Sequence, residues 1–180
     1  MTIEIKEKGS KQYYEEIANI NSQYMQLLRN PRLKLGNTFR LHTILAAVMP
    51  VVFILYIVFA IKGGSFRPAS VIVLFVIALS AYASFTYLRK TKKMVNDFLT
   101  NGADETLTLD KKGVALKREG SEEVRLRWGN VAFVRVFEES TCFFAEDKSG
   151  VVIPVNNAYR DEVLQFLRKS NLHIPIIADR

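Results

Sequence analysis

The chain has 180 residues, with 25 Lys or Arg against 18 Asp or Glu and a formal net charge of +7. This length allows one small globular domain beside a membrane segment, and it excludes an array of several domains. The single cysteine, Cys142, excludes an intramolecular disulfide and is typical of a protein in a reducing compartment.

The N-terminal region (residues 1–39) is expected to form a short strand and an amphipathic helix. Residues 2–6 alternate polar and apolar side chains, and apolar residues then recur at spacings of three and four between Ser10 or Lys11 and Leu28. The charges of this helix are mixed in sign. We therefore expect its apolar face to pack on the C-terminal domain, and the alternative is a helix lying on a membrane surface.

The middle of the chain carries two long apolar runs, residues 41–61 and 69–88, joined by residues 62–68. No Asp or Glu occurs between Glu16 and Asp97. At about 1.5 Å of rise per residue, each run reaches roughly 30 Å as a helix, which is the thickness of the hydrocarbon core of a bilayer. The sequence therefore predicts a transmembrane helical hairpin over residues 40–89.

Basic residues flank this hairpin on both sides. The connecting loop contains only Lys62 and Arg67, whereas more cations precede the first run and follow the second. Because cations accumulate on the cytoplasmic side, both termini are expected in the cytoplasm. We further expect these flanks to bind anionic lipid headgroups without stereospecificity. The flanking cations are Arg29, Arg32, Lys34, Arg40, Arg89, Lys90, Lys92 and Lys93.

The location of the positive charge argues against a nucleic-acid-binding protein. Once the cluster at residues 89–93 is set aside, the chain beyond Leu88 has twelve basic and fourteen acidic residues. The excess therefore belongs to the hairpin flanks and not to the C-terminal domain, so we expect no nucleic-acid partner.

The second run contains small residues at a spacing that allows close helix packing. Ser80, Ala81 and Ser84 lie in one stretch of it. They are expected to pack against the first run of the same hairpin. The alternative is self-association into a homo-oligomer.

A C-terminal domain over residues 94–180 is predicted to be an antiparallel meander followed by one helix. Candidate strands are residues 106–110, 114–119, 124–128, 131–138, 142–147 and 151–155, separated by turn residues at 111–113, 119–121, 129–130, 139–140 and 148–150. Asn157 is placed to cap a final helix whose apolar face includes Phe166 and Leu167. The predicted fold class is therefore α+β, with a transmembrane hairpin and a small antiparallel β-barrel closed by the C-terminal helix.

Three short runs of this domain resemble the YcxB-like family of small bacterial membrane proteins. They are Leu107-Thr-Leu-Asp-Lys-Lys-Gly-Val114, Leu126-Arg-Trp128 and Val151-Val-Ile-Pro-Val155. The resemblance implies an N-terminal segment, two spans and a cytoplasmic domain similar to a pleckstrin-homology fold. It also implies a multi-pass protein of the bacterial cytoplasmic (inner) membrane, and it implies no enzymatic activity.

The residues themselves offer no catalytic or metal-binding constellation, and no cofactor is expected. His42 and His173 lie far apart in the sequence, and no glycine-rich phosphate loop precedes a helix. We therefore expect a non-enzymatic, membrane-anchored protein that presents an interaction module to an unknown protein partner or to lipid headgroups. The alternative is an oligomeric accessory subunit of a transporter or channel.

Basic residues around the first hairpin of the domain raise one further possibility, since pleckstrin-homology folds often bind phosphoinositides there. Lys111, Lys112, Lys117 and Arg118 fall in that region. Acidic residues are interleaved with them, so a solvated rim is the preferred interpretation.

Overall fold

The computed structural model describes residues 2–7, 9–63, 68–101, 105–118, 120, 122–147 and 149–178. The chain is an α+β protein that divides into two compact units. We call Met1–Gly36 together with Val95–Arg180 the sheet unit, and Asn37–Met94 the helical hairpin. The N-terminal segment, which the sequence indicated as a separate region, thus belongs to the same unit as the C-terminal part.

Four antiparallel strands form the first sheet of the sheet unit, in the order β1-β2-β3-β4. These strands are β1 (Ile3–Glu7), β2 (Glu105–Leu109), β3 (Gly113–Arg118) and β4 (Val124–Arg127). The pairing of β1 with β2 joins the start of the chain to a segment about a hundred residues later. The N-terminal strand is therefore an edge of the sheet and not a separate appendage.

The second sheet has the order β7-β6-β5-β8. Its strands are β5 (Val131–Val136), β6 (Ser140–Ala145), β7 (Val152–Asn156) and β8 (Ile176–Ala178). The sequence did not predict β8, which pairs with β5 in parallel. The meander is thus antiparallel only up to β7, because β8 returns to the opposite edge after the final helix.

The two sheets do not close into a barrel among the described residues, so the prediction of a small β-barrel is wrong. β4 has only four residues and leads into a short 3-10 turn at Trp128–Asn130 that carries the chain into the second sheet. In the strand order β4 ends the first sheet and β7 ends the second. β4 and β7 therefore each have one outer edge without a partner strand among the described residues.

The C-terminal helix α5 (Arg160–Lys169) packs on the core between the sheets. Phe166 and Leu167 are buried in one apolar cluster with Leu107 of β2 and Phe143 of β6. The expectation that Asn157 caps this helix is wrong, because the residue before the helix is Tyr159. The Asn157 side chain instead holds the turn between β5 and β6, by donating to the carbonyl oxygens of Phe137 and Glu138 at 2.8 and 2.9 Å.

The N-terminal helix is broken into α1 (Lys11–Ser22) and α2 (Tyr24–Arg29), and both helices pack on the second sheet. Ile20, Tyr24 and Leu27 are buried against Phe144, whose ring stacks on that of Tyr24 with centroids 6.1 Å apart. This contact agrees with the docking that the mixed charges favoured. The helices cover the face of the sheet opposite to α5.

The helical hairpin consists of α3 (Thr38–Lys62) and most of α4 (Pro68–Asn101). Both helices are long and apolar enough to cross a membrane, judged by length and composition. No residue of α3 is buried. Within the predicted loop, residues 64–67 lie outside the described part of the chain, as do residues 119, 121 and 148 of two predicted turns.

In each of the two helices a set of half-buried or buried residues recurs at alternating spacings of four and three, which is the pattern of two helices packed along one seam. They are His42, Ala46, Met49, Phe53, Tyr56 and Ala60 of α3, with Ser70, Leu74, Ile77, Ala81, Ser84 and Leu88 of α4. Pro50 lies inside α3 without ending it.

Candidate functional site

A cleft of about 690 Å³ opens in the sheet unit beside the unclosed edges of the two sheets. It lies between the end of α1 and the start of α2 on one side, and the C-terminal end of β3, the N-terminal end of β4 and the first half of β7 on the other. This volume is in the range of ligand-binding pockets in proteins. The described lining residues are Ile17, Asn21, Ser22, Gln23, Tyr24, Met25, Gln26, Leu116, Arg118, Glu122, Val124, Gly150, Val151, Val152, Ile153 and Pro154.

Within the part of the sheet unit that excludes α4, exposed large apolar side chains are concentrated at this cleft. Outside α3 and α4, three large apolar side chains are exposed among the described residues: Met25, Val124 and Ile176. Met25 and Val124 both line the cleft, with 41% and 46% of their surfaces exposed. Apolar surface gathered in one concave place is a feature of interaction sites.

One wall of the cleft is rigid because Tyr24 is fixed at both ends. Its ring is buried beside Phe144, and its hydroxyl donates to the carbonyl oxygens of Ala145 and Asp147 at 3.2 and 2.8 Å. Burial raises the pKa of Tyr24 above its ordinary value, so the hydroxyl stays protonated and keeps donating at neutral pH. These bonds hold α2 against the end of β6.

Arg118 at the end of β3 is held by an acidic and an aromatic partner. Its Nε donates to Oε1 of the buried Glu105 at 2.6 Å, and its guanidinium lies 4.6 Å from the ring centroid of Phe98 in α4. Glu105 is 1% exposed, so its charge is balanced by the Arg118 cation and not by water. The Arg118 charge is therefore already compensated within the protein.

A half-buried carboxylate, that of Glu16, joins α1 to the turn between β5 and β6. The backbone N–H groups of Glu138 and Glu139 donate to Glu16 Oε2, both at 3.1 Å, and the Ser140 hydroxyl donates to Oε1 at 2.6 Å. Burial raises the pKa of Glu16 although these hydrogen bonds act to lower it. Glu16 is thus an anchor of the N-terminal helix.

The cations around the first hairpin do not converge on one place. Lys111 and Lys112 are exposed in the turn. Arg125 is paired with Asp110 at 2.8 Å and with Glu123 at 2.9 Å, and its bond to Asp110 lowers the pKa of that carboxyl. This arrangement is what a solvated rim requires.

The flanking cations named from the sequence are all exposed, and no ion pair joins any of them to a described residue. Three of these cations lie in the sheet unit: Arg29 is the last residue of α2, and Arg32 and Lys34 follow this helix. Arg40 lies in the first turn of α3, and the cluster at residues 89–93 lies within α4, both in the helical hairpin. Helix α4 continues through this cluster to Asn101, whereas the apolar run predicted as the second span ends at residue 88.

The small residues named for helix packing occupy two different environments. Ser84 is buried, and its hydroxyl lies 3.2 Å from Nδ1 of His42, so it faces α3 of the same hairpin. Ser80 and Ala81 are both half-buried, and the Ser80 hydroxyl donates to the carbonyl oxygen of Val76 within α4. A second link between the helices joins the hydroxyls of Thr38 and Tyr87 at 3.0 Å.

Two kinds of reactive site, a metal centre and a reactive thiol, are absent from the described residues. No three His, Cys, Asp or Glu side chains there are grouped for a metal ion. Cys142 is buried, and burial raises the pKa of its thiol to about 12, so it is not a thiolate at neutral pH.

The cleft was not predicted from the sequence, although two signals for it were present. Pro154 interrupts a segment that otherwise reads as a central strand, and proline in a sheet indicates an edge. Met25 also lies off the apolar stripe of the N-terminal helix. No family model matches the chain, and no curated protein matches it.

Proposed function

We propose that this chain is a non-enzymatic membrane protein that anchors a cytoplasmic interaction module through a two-helix transmembrane hairpin. The observation that carries the proposal is the exposed apolar surface of α3, a helix of 25 residues with no buried residue. A core helix of a soluble protein is largely covered by its neighbours. Uncovered apolar surface of this length is compatible with lipid as the surrounding medium.

The module is the sheet unit, for which we propose a pleckstrin-homology-like arrangement. Two packed sheets with one C-terminal helix across their core support this assignment, and so do the sequence runs that resemble the YcxB-like family. The module acts through contact with a protein, and its cleft is the surface that best supports such a contact.

The flanking cations orient the protein and attach it to anionic headgroups. Their exposure and lack of described ion pairs support a contact with lipid phosphate, which is worth about 1 kcal/mol per cation near an anionic surface before screening. Both termini are then cytoplasmic in a bacterial inner membrane.

Single cysteines test this topology in a Cys142→Ser background. Cysteines replace Ser10, Ser65 or Ser170 one at a time, and intact cells are treated with a membrane-impermeant thiol reagent. Ser65 lies outside the described residues and is chosen because it falls between the two helices. Labelling is expected only at position 65. Labelling at position 10 or 170, with none at 65, contradicts the topology.

A further inference from the structure

We propose that the cleft binds an extended segment of a partner protein as an added strand on the outer edge of β7. This inference deepens the proposed function, on which it rests, because it names the kind of partner that the interaction module binds. The partner segment carries apolar side chains and a Lys or Arg.

The hydrogen bonds at both ends of β7 show which of its backbone groups point into the cleft. Ala145 N–H donates to the carbonyl oxygen of Val151, and Asn157 N–H donates to that of Glu139. Since backbone groups alternate in direction along a strand, the odd-numbered residues of β7 face β6 and the even-numbered residues face outward. Among the residues that line the cleft, the outward groups therefore belong to Val152 and Pro154.

No described strand uses these outward groups, because β7 is the last strand of its sheet. Val152 offers both an N–H and a C=O to an added strand. Pro154 offers only a C=O, and a missing N–H is tolerated at an edge position of this kind. An added strand is thus guided to the half of β7 that lines the cleft.

The chemistry of the lining defines the side chains of the occupant. Met25 and Val124 are exposed on the sides of the cleft and provide apolar contact for alternate side chains of an extended segment. Of the two charged lining residues, Arg118 is compensated by Glu105. Glu122 is exposed and forms no ion pair with a described residue, so it favours a basic residue in the partner.

The first experiment locates the contact on the full chain in its native membrane. A photoreactive benzoylphenylalanine replaces Met25, or replaces Gln165, which is exposed on α5 and serves as the control position. Cross-linking is expected from position 25 alone. The cross-linked segment is mapped by mass spectrometry, and a synthetic peptide of that sequence becomes the probe for the second experiment.

The second experiment measures the affinity of this peptide for the full chain in detergent micelles. Val152→Pro removes the outward N–H and is expected to weaken binding about tenfold, because one backbone hydrogen bond is lost and the proline ring obstructs the added strand. Val152→Thr keeps the N–H with a similar shape and is expected to stay within about twofold. Pro154→Ala supplies a second donor and is expected to bind at least as tightly as the wild type.

A third readout is the hydrogen exchange of the Val152 amide, which should slow when the peptide binds. Glu122→Gln should weaken binding and reduce its dependence on salt. Equal affinity of Val152→Pro and Val152→Thr overturns the added strand, and so does a mapped segment that is helical or belongs to a second copy of this chain.

The outcomes separate the inference from the proposed function. Cross-linking from position 165 and not from position 25 overturns the cleft as the site, while a protein-contacting module remains. Cross-linking from neither position overturns both the cleft and the protein contact in the proposed function. The anchoring hairpin is tested independently by the cysteine topology.

Discussion

Individual titratable side chains determine the thiol reactivity and the pH-dependent stability of the sheet unit, and Cys142 is the simplest case. Its thiol is fully buried with a pKa of about 12. We predict that Ellman's reagent does not modify Cys142 in the folded protein at pH 8, and that denaturation makes it reactive. A cysteine in place of the exposed Ser170 in the same chain is the positive control. Rapid modification of native Cys142 would contradict the buried position of β6.

Glu16 gives the sheet unit a pH response of unusual sign. Because burial raises its pKa in the folded state, its contribution to stability is fully present below the pKa of an unfolded-chain glutamate, about 4.3. That contribution is lost as the pH rises through the folded-state pKa. Asp110, whose pKa is lowered, contributes stability that increases with pH, so its contribution must be subtracted from the pH dependence of the unfolding free energy.

We therefore predict that the difference in unfolding free energy between wild type and Glu16→Gln falls as the pH is raised from 4 to 7. The glutamine keeps the shape of the side chain and cannot ionise in this range. The measurement is denaturant unfolding at several pH values, because subtracting the variant cancels the contribution of Asp110. A difference that rises with pH contradicts the assignment.

At the scale of elements, α5 is the helix whose docking can be tested most directly. Phe166 is 2% exposed, and its ring centroid is 5.9 Å from that of Trp128. We predict that Phe166→Ala lowers the unfolding free energy by about 3 to 5 kcal/mol, as expected for a large buried aromatic side chain. Gln165→Ala on the exposed face of the same helix is the control. A loss below about 1 kcal/mol from Phe166→Ala means that α5 is not docked on the core.

Elements with strong local patterns were predictable, and elements that depend on distant partners were not. The alternation in β2, the turn residues between the strands from β2 to β7 and the apolar face of α5 are encoded by neighbouring residues, so the existence of these elements follows from the sequence. β8 (Ile176–Ala178) has three residues and is a strand only because β5 lies beside it. The cleft depends on the unpaired edges of β4 and β7, which follow from the tertiary fold and from no local pattern.

The cap of α5 shows the same limit at a single residue. Asn157 has the side chain of a helix cap, and the sequence offers no reason to reject it. In the structure it serves the β5–β6 turn, twenty residues earlier, where its amide donates to the Phe137 carbonyl oxygen and its side-chain oxygen accepts from Thr141 at 2.8 Å. A tertiary hydrogen bond has replaced a local one.

At the scale of the whole molecule, the sheet unit is built from two segments that the hairpin separates in the sequence. β1 supplies an edge of the first sheet, and α1 and α2 cover one face of the second. The apolar cluster that contains Phe144 loses Ile20, Tyr24 and Leu27 if the first segment is removed. The C-terminal part alone therefore lacks one wall of its core.

We predict that a chain beginning at Asn37 inserts its hairpin but does not form a stable sheet unit, because the face around Phe144 is left open to water. Limited proteolysis and hydrogen exchange should show loss of protection in β6 relative to the full chain. Adding a peptide of residues 1–36 in trans is expected to restore that protection, and the same peptide with Tyr24→Ala and Leu27→Ala should restore much less. If the shortened chain keeps full protection in β6, the N-terminal segment is a cover of the fold and not part of its core.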